Sequence, residues 1–168
     1  MAAPKTQEAG QLDDAQIAGR VLAFDRAEVQ TAETVKRKLS SGPAWALAQR
    51  LTVDDSARDQ GLEALAAPNQ PSANDGVAGG RADGAELANL SGDALDKAYI
   101  DREIKEHQSM LAALDSQLIP SAKSEVLQRQ LVDLRAETAA QLEEARRVQH
   151  EQNQREILSQ EPDITWGP

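Results

Sequence analysis

The sequence predicts an all-α protein, an antiparallel four-helix bundle with a long connection between helices two and three. Three observations predict it. Apolar residues recur at helical spacing in four separate segments. Only a few residues separate segment one from two, and three from four, so each pair forms an antiparallel hairpin. Between the pairs, residues 67–84 are dominated by Gly, Pro, Asn, Ala and Asp and read as a linker inside the domain.

The first helix opens at Asp13, with Gln16 placed to complete a capping box. Its stripe runs through Ile17, Val21, Phe24, Ala32, Val35 and Leu39. Ser40-Ser41-Gly42 ends it, and Pro43 suits the first turn of the second helix. That helix carries Trp45, Ala48, Leu51, Leu62 and Leu65, with Trp45 as a packing anchor, and Ala67-Pro68 stops it. Leu87 and Leu90 form a short helical turn against the bundle. Ser91-Gly92-Asp93 opens the third helix, whose stripe is Leu95, Tyr99, Ile100, Ile104, Leu111, Leu114 and Leu118. Pro120 ends it and Ser121 caps the fourth helix. There Leu127, Leu131, Leu134, Thr138, Leu142, Ala145 and Val148 face inward. Helical character to about Leu158 gives a length of roughly 55 Å, longer than its neighbours. The bundle thus spans 13–158, between a disordered tail at 1–12 and a second tail at 159–168. A long middle connection is the wiring of ferritin-like bundles.

Composition narrows the function. The chain has 168 residues, enough for one domain, and a formal charge of −10. That charge repels phosphate backbones and anionic lipid, which excludes nucleic acid as a natural partner. No apolar run reaches the roughly 20 residues of a membrane span. With no cysteine there is no disulfide, thiolate site or cysteine nucleophile. No phosphate loop, dinucleotide fingerprint or Ser-His-Asp arrangement is present. Met1-Ala2-Ala3-Pro4-Lys5 lacks the apolar region of a signal peptide. The chain is therefore cytosolic, or it begins after a removed signal.

Each stripe is broken near its middle by polar residues: Glu28, Asp55, His107 with Glu103 one turn away, and Gln141 beside Leu142. In an antiparallel bundle these meet at similar height. Buried charge is costly unless it is paired or holds a metal. One reading is a structural cluster in which His107 bonds Glu28 or Asp55 and fixes helix register. The other is a divalent metal ion held by Glu28, Asp55 and His107. The chain lacks the Glu-x-x-His pairs of a full di-metal centre, so the residues favour the structural reading, with no cofactor.

The ordered features resemble a bacterial family of exported proteins, the domain of unknown function 4142, over about residues 13–149. The resemblance rests on Ala27-Glu28-Val29, Val53-Asp54-Asp55, Leu90-Ser91-Gly92, Asp96-Lys97-Ala98-Tyr99, Glu106-His107 and Gln141-Leu142-Glu143-Glu144-Ala145. Glu28 matches the family's helix-one Glu, and Glu106-His107 keeps one of its histidines. Asp55 and Gln141 stand where two others are expected. The resemblance implies a ferritin-like fold and a periplasmic or envelope location. The expected function is non-enzymatic: binding of a protein partner, or a structural or stress-related role, with metal binding as the alternative.

Overall fold

The computed structural model describes residues 12–66 and 85–160. Among these residues all regular structure is helical and there is no strand. Four long helices carry the chain: α1 (Asp14–Lys36), α2 (Gly42–Glu63), α3 (Gly92–Ala113) and α4 (Glu125–Gln160). A short turn at 85–88 precedes α3 and buries Leu87. The linker read at 67–84 lies outside the described residues, as do 1–11 and 161–168.

Local chemistry sets the ends. Asp13 and Gln16 form the expected capping box: the Gln16 N–H donates to Asp13 Oδ1 at 2.7 Å, and the Asp13 N–H donates to Gln16 Oε1 at 2.9 Å. Ser41 caps α2, with Pro43 in its first turn. Gly92 enters α3 at a φ of 59°, a left-handed conformation that favours glycine.

Around Pro120 the structure departs from the sequence reading. The helix does not stop before the proline. It passes through a wider π turn (Leu114–Leu118) and one more turn (Ile119–Ser121), where the Ile119 N–H reaches back to the Leu114 carbonyl. Pro120 has no N–H to give, and its ring crowds the carbonyl four residues earlier; widening the turn accommodates both. Ser121 is therefore the end of one helix, not the cap of the next. Ser124 takes that role, its hydroxyl accepting from the Leu127 N–H at 3.5 Å. The Asp14 carboxylate then braces this corner, accepting from the N–H groups of Lys123 and Ser124 at 2.8 and 2.9 Å.

The helices pack as two hairpins, α1 on α2 and α3 on α4. Two apolar clusters hold the hairpins together. One gathers Ile17, Val21, Leu62, Leu114, Leu118, Leu127 and Leu131. The other gathers Val35, Leu47, Leu51, Leu95, Tyr99, Ile100 and Val148. The first holds the start of α1 and the end of α2; the second holds the end of α1 and the start of α2 and α3. Hence α2 and α3 run in the same direction. Trp45 is a correction: it is 47% exposed, and Ala44, Leu47, Ala48 and Leu51 line the inner face instead. All seven inward positions expected of α4, from Leu127 to Val148, are buried.

Candidate functional site

Between the two apolar clusters lies a polar layer. Each helix contributes side chains about one turn apart. α1 brings Asp25 and Glu28, and α2 brings Asp55 and Arg58. α3 brings Arg102, Glu103 and His107, and α4 brings Glu137, Thr138 and Gln141. Spacings of three and four residues (Asp25–Glu28, Asp55–Arg58, Glu103–His107, Glu137–Gln141) give each helix one face toward the layer, with Arg102 beside Glu103 and Thr138 beside Glu137. Glu28, Asp55, Glu103, His107 and Gln141, the five residues singled out in the sequence, are all buried here.

Two guanidiniums organise the layer. Arg58 Nη1 donates to Asp25 Oδ1 at 2.7 Å and to Asp55 Oδ1 at 3.2 Å, while its Nη2 donates to Glu137 Oε2 at 2.7 Å. One side chain thus bridges carboxylates from three helices. Arg102 Nη1 lies 2.9 Å from Glu103 Oε1 and 3.3 Å from Glu28 Oε1. That pairing joins α3 to α1. Asp25, Arg58 and Arg102 were not anticipated from the sequence. The only signal was their spacing: Asp25 is one turn before Glu28, and Arg58 one turn after Asp55.

His107 does not bond Glu28 or Asp55 as expected. Its Nδ1 lies 2.8 Å from the Glu103 carbonyl oxygen and 3.8 Å from Glu103 Oε2. Its Nε2 is 3.2 Å from Gln141 Oε1, and Gln141 Nε2 donates to Asp54 Oδ2 at 3.4 Å. This relay links α3, α4 and α2. Phe24 meets the imidazole edge-on at 6.1 Å.

The layer is over-supplied with acid. Four buried carboxyl groups (Asp25, Glu28, Asp55, Glu103) face two guanidiniums. One oxygen of each carboxylate has no partner: Asp25 Oδ2, Glu28 Oε2, Asp55 Oδ2 and Glu103 Oε2. Desolvation pushes Asp25 up to about 7 against the pull of Arg58, and Asp55 up to about 8 with the Asp25 charge adding to it. Burial, then the neighbouring Glu28, pushes Glu103 well above the usual carboxylate range. Desolvation also acts on Arg58 and Arg102, but the carboxylates around them outweigh it and raise both.

Three ligand-type groups converge. One carboxylate oxygen each from Glu28 and Glu103 and one ring nitrogen of His107 lie within 4.8 Å of one another. Ligands about 2.1 Å from a tetrahedral ion lie about 3.4 Å from one another, so the three groups would have to draw closer together to share one ion. Their donor set, two carboxylates and an imidazole, suits a divalent transition metal. Asp55 stands apart from this trio, because Arg58 engages it.

The family model described as a domain of unknown function (DUF4142) matches residues 1–148. The chain belongs to this family. The match takes in all four helix-borne components of the polar layer and stops within α4, at Val148. No curated protein and no solved structure matches the chain. One of the motif residues has a clear structural task here. Asp96 accepts from the Ser40 N–H at 3.0 Å and from the Ser40 hydroxyl at 2.5 Å, tying the α1–α2 turn to α3.

Proposed function

We propose that this member of the family is a non-enzymatic, ferritin-like four-helix bundle of a bacterial envelope that binds a divalent cation in its mid-bundle layer. The observation that carries the cation reading is the convergence of Glu28, Glu103 and His107, with an unpartnered, buried oxygen on each carboxylate. The buried carboxyl groups in excess of the two guanidiniums hold protons, which a divalent ion would displace. The shared direction of α2 and α3 supports the ferritin-like wiring, which needs a connection spanning the bundle. The family resemblance supports the envelope location. No helix among the described residues is long and apolar enough to cross a membrane.

The test is a thermal melt of the chain without a polyhistidine tag, in EDTA and then in Mn²⁺ or Zn²⁺. A ligand that binds only the folded state raises Tm by mass action. Wild type should gain several degrees, and Glu103→Gln and His107→Leu should gain none. A wild-type melt that ignores both metals sinks the cation reading.

A protein partner is the second reading, and one observation favours it. The end of α4 lies past the family match, and there Ile157 and Leu158 are 64% and 67% exposed. Recovery of one stoichiometric partner from envelope extract, lost on truncation at Glu156, would establish it.

A further inference from the structure

The end of the bundle that holds the α1–α2 turn is not sealed by apolar packing. The α4 face that carries Leu142, Ala145 and Val148 into the core continues as Gln152, Glu156 and Ser159, at spacings of three and four residues. There a crevice of about 520 Å³ opens between α4, the α1–α2 turn and the start of α3. That volume lies within the range of small-ligand clefts, about 300–1,000 Å³. The family match stops at Val148, so the α4 wall of the crevice lies outside it. Gln152 lines the crevice, and both its amide oxygen and its amide nitrogen are buried without a hydrogen-bond partner. A buried carboxamide is costly until something pairs with both atoms. Two charges share the crevice with it. Arg155 reaches the Ser41 hydroxyl at 3.3 Å and the Glu151 carbonyl at 3.4 Å, and Asp93 accepts from the Ser40 hydroxyl at 3.4 Å. Among the described residues Arg155 pairs with no carboxylate and Asp93 with no cation. The other charges on the walls are engaged: Lys97 faces Glu156 at 3.8 Å, and Asp96 holds Ser40.

We infer that this crevice binds a short peptide with free termini, its ammonium at Asp93, its carboxylate at Arg155 and one of its peptide groups on the Gln152 carboxamide. Each part of the ligand answers a group that lacks a partner. A peptide C=O and N–H are the complement of a carboxamide, which donates through nitrogen and accepts through oxygen. Arg155 presents the planar fork that matches a carboxylate, and Asp93 accepts from an ammonium. A free amino acid carries both charges but has no peptide group for Gln152. A phosphate-bearing ligand meets Asp93, Asp96 and Glu156 on the same walls and is repelled. The crevice lies beyond the apolar cluster of Leu95 and Val148, away from Glu28, Glu103 and His107, so the inference stands apart from the cation reading.

The experiment is a nuclear magnetic resonance titration of the full ¹⁵N-labelled chain with trialanine. The Gln152 side-chain amide signals are identified by their loss in Gln152→Leu. In wild type these signals should move saturably with trialanine. Acetylating its amino end or amidating its carboxyl end should each weaken binding about tenfold, the loss of one charge-assisted contact. Arg155→Met should bind the free and amidated peptides equally, and Asp93→Asn the free and acetylated ones equally. Gln152→Leu, with an unchanged melting temperature, should bind trialanine about tenfold more weakly. A Gln152 amide that does not move up to about 10 mM trialanine, where binding is weaker than any specific site gives, overturns the inference and leaves water as its partner. So does glycine binding as tightly as trialanine, or blocked peptides binding as tightly as the free one. If one variant does not fold, the wild-type titrations with free and blocked peptides decide alone.

Discussion

The apolar clusters and the polar layer between them are built from the same four helices, yet they hold the chain in different ways. In the clusters, Leu, Ile, Val and Ala interlock without direction, and Tyr99 is the one aromatic ring fully enclosed. Stability there follows buried area and close packing. In the layer, almost every contact is directional and most cross between helices: Arg58 to Asp25 and Glu137, Arg102 to Glu28, Gln141 to Asp54. A slip of one residue along a helix costs the clusters some packing but leaves a buried charge in the layer without a partner. The clusters therefore drive association of the hairpins, and the layer selects the register.

Replacement of single residues sharpens this contrast. The largest loss is expected for Arg102→Ala, which abandons Glu28 and Glu103 in the interior. Breaking one side of a buried charge network costs about 3–5 kcal/mol. Urea unfolding of Arg102→Ala in EDTA measures it, and a loss below about 1 kcal/mol would mean that the layer is not a register device. Leu114→Ala, at a fully enclosed site in the first cluster, should cost about 2–5 kcal/mol by loss of packing and creation of a cavity. Unlike Arg102→Ala, its effect should not depend on pH, which a pair of denaturant curves at pH 5 and pH 8 distinguishes.

The pH dependence of the wild type is the next largest effect. Asp25 and Asp55 keep their protons up to about 7 and about 8 in the fold, against an ordinary value of 3.8. Between about pH 4 and pH 8 the folded chain then binds more protons than the unfolded chain. Stability consequently falls as pH rises through that window, by at most about 1.4 kcal/mol per pH unit for one group. Metal-free Tm should decline from pH 5 to pH 8, and Asp55→Asn should flatten the decline. A Tm that climbs across this range contradicts the burial of these acids. The smallest effect is expected for Val53→Ser. That side chain is 56% exposed, and a surface change of this kind shifts stability by about 0.5 kcal/mol or less.

Much of the fold is written in local patterns. The Asp13–Gln16 box, the Ser41-Gly42-Pro43 start and the stripe of α4 each depend on residues a few positions apart, so they can be read along the chain. Glu28, Asp55 and His107 were visible for the same reason: each interrupts an apolar stripe on its own helix, with Glu103 one turn from His107 and Gln141 beside Leu142. Trp45 misled because bulk and hydrophobicity do not say which side of a helix faces inward; Ala44, Leu47 and Ala48 took that side. Pro120 misled because its usual effect, helix termination, was absorbed by a wider turn.

The sequence by itself determined four helices, an aliphatic core, an acidic surface and a belt of polar residues at mid-height. Each is a property of composition or of spacing within one segment. Only the tertiary structure decided who pairs with whom in that belt. Arg58 and Arg102 sit at the margins of their stripes and look like solvated residues until the partner helix arrives. Asp25 and Glu103 are costly groups until a guanidinium from another part of the chain meets them. The trio of Glu28, Glu103 and His107 needs α1 and α3, which are 75 residues apart between Glu28 and Glu103. Electrostatic pairing acts across space, and neither its partners nor the desolvation that gives it strength can be read from neighbours along the chain.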